Sequence, residues 1–322
     1  MGRLLRIYFN AVFGALGGLL GWMLAGEFLA DYFRGSTWDP MLALASGAFV
    51  GAMIGYFVVS VDAILDRSLL RFCRFAAVGI VLGGVGGAIG NWVGDQLNYL
   101  LLESLAKDTS WMTLYAPLLA RGLGWAVFGF AIGISEGVAA RSLGKFSYGA
   151  IGGTLGGFLG GVIVASLMRN VENLSHEDPS YVWGQALGLV ILGACIGSLT
   201  ALVEEVLKPA SLKVLRGWQE GREYAIVKAN STLGRDEGED ILLLRDRNIE
   251  KHHALLQRRG NRFYLVKQDA PPEQLKVNDQ PVFLSQEVQD GDRVQLGNTV
   301  MKFVMRAARG HRARARNISG DT

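Results

Sequence analysis

The segment GAIGGTLGGFLGG, residues 149–161, contains seven glycines that are separated only by apolar residues and one threonine. Glycine weakens a helix in water, but in lipid a small residue at every fourth position lets two helices approach closely. The spacing of Gly149, Gly153, Gly157 and Gly161 therefore predicts a membrane helix that packs through its glycine face. A pore or substrate path lined by glycine is the alternative interpretation of the same pattern.

Other stretches of the chain share the apolar character of this segment, and 50% of the 322 residues are hydrophobic. A helix needs about 20 apolar residues to cross the hydrocarbon core of a membrane. Six stretches meet this requirement, at about Ile7–Phe28, Met41–Val61, Phe75–Gly94, Leu114–Val138, Tyr148–Met168 and Val182–Val203. The first is long for a signal peptide and no convincing cleavage site follows it, so we expect it to be retained. Residues 1–206 are thus predicted to form a transmembrane domain.

Short glycine motifs recur in these stretches. GAMIG (51–55), GFAIG (129–133) and GACIG (193–197) lie in the second, fourth and sixth stretches, and longer glycine runs lie in the others. This internal similarity predicts three helical hairpins of roughly 60–80 residues that form a compact bundle. The glycines expected at close helix contacts are Gly79, Gly83, Gly87, Gly149, Gly153, Gly157 and Gly161.

Charged residues in the loops alternate in sign along the chain. The N-terminus carries Arg3 and Arg6, and the second and fourth loops are also basic, whereas the first, third and fifth loops hold an excess of Asp and Glu. Basic loops favour the cytoplasmic side of a membrane. The pattern predicts a multi-pass protein of the inner (cytoplasmic) membrane with both termini in the cytoplasm.

Two charged residues, Arg121 and Glu136, interrupt the fourth apolar stretch. Charges inside a span are costly and often functional, which makes both residues candidates for a role in transport. They are 15 residues apart, which is about 22 Å along a helix, so they cannot pair with each other. We expect Arg121 to reach the outer interface and Glu136 the inner one.

The composition changes after about residue 206, where charged residues become frequent. Strand-length apolar runs bounded by Gly, Asn, Asp and Pro predict an all-β sandwich over residues 223–306. Residues 207–222 are expected to be a juxtamembrane linker. The arginine-rich tail, residues 307–322, is expected to be disordered, with contact to anionic lipid headgroups as the alternative.

Several kinds of chemistry are disfavoured by the residue content. The net charge of +3 is too small to predict a nucleic-acid partner, and Cys73 and Cys195 lie in apolar surroundings. The adjacent His252 and His253 lack companion ligands at a spacing that suits zinc, and neighbouring side chains of a strand face opposite ways. We therefore predict no metal, no cofactor and no enzymatic activity.

Motifs in the soluble half resemble those of forkhead-associated domains in order and spacing. The matching residues are Gly234-Arg235, Asp240-Ile241, Ile249 through Ala254, Val277-Asn278, Asp290-Gly291-Asp292 and Leu296-Gly297. The resemblance implies a β-sandwich that binds phosphothreonine peptides through loops at one end. It implies contact positions at Arg235, Glu250, Lys251 and Asn278. It also implies scaffold positions at Gly234, His253, Gly291 and Asp292, where the histidine buttresses the loops.

Two contact positions depart from the pattern of the family. Glu250 stands where the family has a serine that donates to the phosphate, and residues 270–275 replace the family's Ser-x-Asn-Gly-Thr loop. A carboxylate a few Å from a phosphate is repelled by on the order of several kcal/mol at an intermediate dielectric constant. We expect Glu250 instead to pair with Arg235 or Lys251.

These features predict a membrane-anchored adaptor that recruits a protein partner at the cytoplasmic face without a requirement for phosphothreonine. A small channel or transporter that the sandwich regulates is one alternative, and a signalling protein that reads phosphothreonine is another. The predicted partners are the lipid bilayer and a protein. Self-association of the bundle into a homo-oligomer stays open.

Overall fold

The computed structural model describes residues 3–25, 39–105, 110–169 and 179–306. The chain divides into two compact units, one that ends at Leu207 and one that begins at Lys208. The tail 307–322, for which disorder is predicted, lies outside the described residues, as do parts of three loops between helices.

The first unit is a bundle of six long helices. They are α1 (Arg3–Trp22), α2 (Asp39–Asp66), α3 (Leu69–Leu105), α4 (Ser110–Ala139), α5 (Leu143–Met168) and α6 (Pro179–Leu207). Six stretches at these helices are long and apolar enough to cross a membrane, so the prediction of six spans is confirmed. The connections after α2 and α4 are tight, because Arg67 and Arg141 adopt φ angles of 55° and 49°. Ser142 then caps α5 by accepting from the Lys145 N–H at 3.3 Å.

Glycines form the closest contacts between helices, and three helix pairs meet backbone to backbone. The facing residues are Gly51–Gly83 and Gly55–Gly79 for α2 and α3, Gly129–Gly153 and Gly133–Gly149 for α4 and α5, and Gly14–Gly193 for α1 and α6. A methyl group at any of these glycines would overlap with a carbonyl oxygen of the partner helix. Each pair joins helices from different predicted hairpins, and the third pair joins the first helix to the last.

A second row of glycines on the odd-numbered helices faces the helix that follows. Gly17 lies against Ile54 of α2, Gly86 against Ala131 of α4, and Gly156 against Ile196 of α6. Each of these glycines is three residues after one of the first row, so every odd-numbered helix packs on both neighbours through glycine. The other expected packing positions lie at similar contacts: Gly87 against Gly47, and Gly157 and Gly161 against Trp125.

The even-numbered helices supply the largest side chains of the bundle core. Ile54 of α2, Phe128 and Ile132 of α4, and Leu192 and Ile196 of α6 are fully buried in one cluster. The helices therefore form a closed ring, in which glycine lies at the seams and bulky apolar residues fill the middle.

The second unit is a sandwich of two sheets. Its strands are β1 (Ala210–Arg216), β2 (Glu223–Ile226), β3 (Asn230–Gly234), β4 (Ile241–Leu242), β5 (Ala254–Arg259), β6 (Arg262–Lys267), β7 (Leu275–Val277), β8 (Gln280–Pro281), β9 (Ser285–Val288), β10 (Arg293–Leu296) and β11 (Thr299–Met305). One sheet has the order β2-β1-β11-β10-β7-β8 and the other β4-β3-β5-β6-β9. Buried Leu233, Leu256 and Leu265 of the second sheet share a core with Leu296 and Phe303 of the first. The predicted all-β sandwich is confirmed.

The expected linker 207–222 is corrected by the structure, because β1 lies within it. Ala210 through Arg216 pair antiparallel with β11 on one side and β2 on the other. Leu212 and Val214 are buried, while Lys213 and Arg216 are exposed. Pro209 and the basic residues suggested a linker, but Lys213 and Arg216 lie on the exposed side of a central strand, and Pro209 directly precedes that strand.

Candidate functional site

Three loops meet at one end of the sandwich, and we call them the loop face. They are residues 235–240 after β3, residues 243–253 before β5 and residues 268–274 after β6. The Arg235 N–H donates to the carbonyls of Glu250 and Lys251 at 3.1 Å each, and the Asp269 N–H donates to the His252 carbonyl at 3.0 Å. The loop face thus brings together three of the four predicted contact residues, Arg235, Glu250 and Lys251.

The side chains of these three residues form no ion pair with one another. Glu250 and Lys251 are exposed and Arg235 is half-buried. Within the described part of the chain, no ion pair of 4.0 Å or less joins Glu250 to Arg235 or Lys251. The expected pairing is therefore not formed, and the Glu250 carboxylate faces solvent at the position of the family's serine.

Gly234 ends β3 where the loops come together, and its backbone touches the neighbouring loop. A methyl group on Gly234 would overlap with the carbonyl oxygen of Lys251 and lie 3.2 Å from Cγ of Glu239. The absence of a side chain at this position is what lets the Arg235 N–H reach two carbonyls.

His253 lies beneath the loop face and is fully buried. Its Nδ1 accepts from the Glu250 N–H at 3.1 Å, so its Nε2 carries the proton and donates to the Gln274 carbonyl at 3.1 Å. Burial lowers the pKa of the His253 imidazole below its ordinary value, which keeps the ring neutral in this role. The ring joins two loops and fixes the backbone of Glu250.

His252 points away from His253 and is exposed. Its Nδ1 lies 2.6 Å from Oε1 of Glu239, whose side chain is buried. The hydrogen bond to Glu239, together with its charge, raises the pKa of the His252 imidazole above its ordinary value. The two adjacent histidines thus have different partners and opposite pKa shifts.

We expect the His252→Gln variant to lose more stability on acidification than the wild-type sandwich does. Because the pKa of His252 is raised in the folded state, its protonation stabilises the fold below pH 6.5, the ordinary value. This stabilisation is lost as the pH rises through the raised pKa of the folded state. His253 has the opposite sign, because its lowered pKa stabilises the fold above 6.5 and the gain is lost as the pH falls. Urea midpoints for residues 208–306 should therefore diverge between about pH 8 and pH 5.5. Parallel pH profiles would contradict this assignment.

Asn278, Gly291 and Asp292 lie together in a different pair of turns. Asn278 has a φ of 49° and Gly291 a φ of 95°. The Asn278 amide donates to Oδ1 of Asp292 at 2.8 Å, and its oxygen accepts from the Arg293 N–H at 2.9 Å. Both hydrogen bonds engage the side-chain amide of Asn278 with residues of the same turns. The β7 strand separates Asn278 from the loop face. A partner contact at Asn278 stays a prediction.

The loop face carries more acidic than basic residues. Its three loops contain eight Asp and Glu against four Lys and Arg, a net charge of −4 with histidine neutral. Some of these acids have internal partners, since Asp240 pairs with Lys228 at 2.6 Å and Asp246 accepts from the Thr299 hydroxyl at 2.9 Å. The three loops together hold an excess of negative charge, which disfavours an anionic ligand.

The bundle contains a second candidate site, a network of five charged side chains near the start of α1 and the end of α6. Arg6 Nη2 lies 2.9 Å from Asp62 of α2, 2.8 Å from Glu204 of α6 and 4.0 Å from Glu136 of α4. Lys145 of α5 pairs with Glu136 and lies 3.4 Å from Asp62. We call these residues the ion network. It joins five of the six helices.

The ion network holds three carboxylates against two cations. Its side chains are largely buried, from 5% exposed at Glu204 to 26% at Asp62. Among the described residues, the second oxygen of Glu204 is buried without a hydrogen-bond partner. An arrangement of this kind stabilises the fold only while its members stay paired, because an unpaired charge in a buried site is costly.

Sequence reasoning missed this network and assigned Glu136 to the membrane interface alone. The interfacial position of Glu136 stays a prediction, and the structure adds that Glu136 bonds to Lys145 on the neighbouring helix. A signal was present in the glycine motifs, because each even-numbered span carries one of these acids on the turns that follow its motif. Asp62 is seven residues after Gly55, Glu136 three after Gly133, and Glu204 seven after Gly197.

Comparisons with known proteins concern the second unit. Residues 213–307 match the family described as the inner membrane component of T3SS, cytoplasmic domain. A forkhead-associated domain from Chlamydia trachomatis is 24% identical over 31% of this chain and 99% of its own, with a TM-score of 0.28. One from an Arabidopsis thaliana hypothetical protein is 21% identical over 32% of this chain and 90% of its own, with a TM-score of 0.29. No curated protein matches the chain.

The identity of the sandwich rests on three kinds of observation. The motifs occur in the order and spacing of the family, and Gly234, Arg235 and His253 lie together in the loops where those motifs meet. The family match covers the same residues. The chain therefore combines six helices that are long and apolar enough to cross a membrane with a C-terminal β-sandwich that is similar to forkhead-associated domains.

Proposed function

We propose that the protein is a membrane-anchored adaptor whose forkhead-associated domain recruits a basic, unphosphorylated protein partner at the cytoplasmic face of the inner membrane. The observation that carries this proposal is the exposed Glu250 carboxylate within an acidic loop face. The alternation of loop charges supports the cytoplasmic orientation, as does the match to a family of cytoplasmic domains of an inner membrane component.

The charge of the loop face is unsuited to phosphothreonine. A phosphate adds a charge of about −1.5 to −2 and needs several cationic or neutral donors around it. Here Arg235 and Lys251 lie beside Glu250, within loops whose residues sum to a net charge of −4. The same surface attracts Lys and Arg side chains of a partner, and complementary charge speeds association and suppresses wrong partners.

The proposal predicts the response of the sandwich to peptide charge. Residues 208–322, which retain β1, would be titrated with Lys/Arg-rich and Asp/Glu-rich peptides, each with and without phosphothreonine. We expect wild type to prefer the basic peptides and to bind them more weakly when they are phosphorylated. Glu250→Lys should weaken binding of the basic peptides by roughly threefold to tenfold, which is the scale of exposed charge pairs.

Two further variants make this test specific. Asp279→Lys reverses an exposed charge in the turn after β7, outside the loop face, and should leave binding within about twofold of wild type. Glu250→Ser introduces the family's residue and should reduce the penalty for phosphothreonine. Tighter binding of wild type to phosphorylated than to unphosphorylated peptides would refute the proposal and favour a phosphothreonine reader.

One observation bears on the alternative of a channel or transporter, namely a cavity of about 600 Å³ among the helices. Val50 and Leu189 line it, and one turn further along α2 and α6 the fully buried Ile54 and Leu192 fill the middle of the bundle. The structure therefore favours binding within the bundle over passage through it.

A further inference from the structure

The cavity in the bundle lies toward the opposite ends of the helices from the ion network. Its walls come from all six helices, with Trp22 at the end of α1, Asn98 on α3 and Arg121 on α4 among them. A volume of about 600 Å³ is within the range of small-molecule binding sites. The adaptor function proposed above makes no use of this space.

The charged groups that line the cavity have one sign. Among the described residues, Arg121 and Arg169 line it and no Asp or Glu does. Asp95 borders a small adjoining pocket with Arg121 but makes no ion pair with it at 4.0 Å or less. No described residue bonds to the guanidinium of Arg121. Arg121 is exposed in the structure but lies within an apolar span, where a charge is costly unless it has a partner, so the cavity suits an anion.

The remaining lining residues set two further requirements for a ligand of the cavity. Val50, Leu118 and Val164, with Trp125, give the cavity apolar walls, which a bare inorganic anion would leave uncovered. Asn98 also lines it, and its Oδ1 is buried without a hydrogen-bond partner among the described residues. A buried acceptor of this kind calls for a donor such as a ligand hydroxyl.

The depth of Arg121 fits a molecule that comes from the membrane. Arg121 is six residues from Tyr115, where the apolar span in α4 begins, or about 9 Å along the helix axis. A lipid headgroup at the interface can reach this depth while its chains remain in the hydrocarbon region. Arginine is the side chain that best recognises phosphate, because its planar fork makes two parallel hydrogen bonds.

We propose that this cavity binds a phosphate-bearing anionic amphiphile, with the phosphate at Arg121, a hydroxyl of its headgroup at Asn98 and its apolar part against Val50, Leu118 and Val164. This inference rests on the bundle alone and does not depend on the partner of the loop face.

The test uses the full chain purified in a mild detergent. Native mass spectrometry would measure binding of phosphatidylglycerol and of phosphatidylcholine with the same acyl chains, and calorimetry would measure inorganic phosphate. We expect one saturable site for phosphatidylglycerol, at least tenfold weaker binding of phosphatidylcholine, and no binding of phosphate alone. Arg121→Gln should weaken the phosphatidylglycerol site roughly tenfold or more, the scale of a lost charge-assisted hydrogen bond.

Two further variants keep the result interpretable. Arg74→Gln removes an exposed arginine of α3 that does not line the cavity, and should stay within about twofold of wild type. Arg121→Lys keeps the charge but loses the fork, so it should bind with intermediate affinity, and it replaces Arg121→Gln if that variant does not remain monodisperse. Equal binding of the two lipids, or binding unchanged by both Arg121 variants, would overturn the proposal. Arg121-dependent binding of phosphate alone would assign the cavity to a soluble phosphate compound instead.

Discussion

Replacing Gly83 by alanine is expected to destabilise the bundle strongly, while the same change at the adjacent Gly84 is expected to be neutral or stabilising. A methyl group at Gly83 would overlap with the carbonyl oxygen of Gly51, so α2 and α3 would have to move apart. At Gly84 the nearest atom to such a methyl group is 3.4 Å away, which is ordinary contact. Both changes gain about 1 kcal/mol of helix propensity. At Gly83 that gain is outweighed by an overpacking cost of about 1–3 kcal/mol or more.

The matched pair separates packing from every other property of glycine. Both residues lie on α3, both changes add one methyl group, and the hydropathy of the span changes equally. The difference in stability is measured by the apparent Tm of the two variants in detergent. The fraction of each variant that stays monodisperse after heating is a second measure. Equal apparent Tm values would show that the α2–α3 contact tolerates separation, and would remove glycine packing as the basis of the ring.

Features that depend on local pattern were predictable from the sequence. The six spans follow from hydropathy over about 20 residues, and the sandwich follows from short apolar runs and motif spacing. Gly234 and His253 were placed by the family resemblance, and their contacts with Lys251, Glu250 and Gln274 give that placement a physical reason.

Features that depend on which elements become neighbours were not predictable. One of the two partners of β1 is β11, so Leu212 pairs with Phe303 across 91 positions of sequence. Arg6 meets Glu204 across 198 positions because α1 and α6 close the ring. Glycine motifs can pair in several combinations, and a single sequence does not select among them. The charges of Arg6 and Lys145 entered the predicted orientation only as part of a loop pattern, which gave no sign of their partners.

The ion network predicts a second large effect, on removal of Arg6. Arg6→Gln breaks the contacts of 2.9 Å to Asp62 and 2.8 Å to Glu204 and removes one of the two cations of the ion network. Loss of one partner from a buried ion pair costs about 3–5 kcal/mol, because the other charge stays buried. We expect the apparent Tm in detergent to fall sharply. Arg74→Gln removes an exposed positive charge near the start of α3, outside the network, so it controls for an effect of loop charge on membrane insertion.

The double variant Arg6→Gln/Glu204→Gln decides whether an imbalance of buried charge causes the loss of stability in Arg6→Gln. Glu204 is the most buried carboxylate of the network, with a side chain that is 5% exposed. When both partners of a buried pair become neutral and keep their shape, the cost is often small. The double variant should therefore be more stable than Arg6→Gln alone, with a coupling energy of about 1–3 kcal/mol between the two positions. Additive losses would mean that Arg6 acts through packing, and that the network is a set of independent interfacial charges at the ends of the helices.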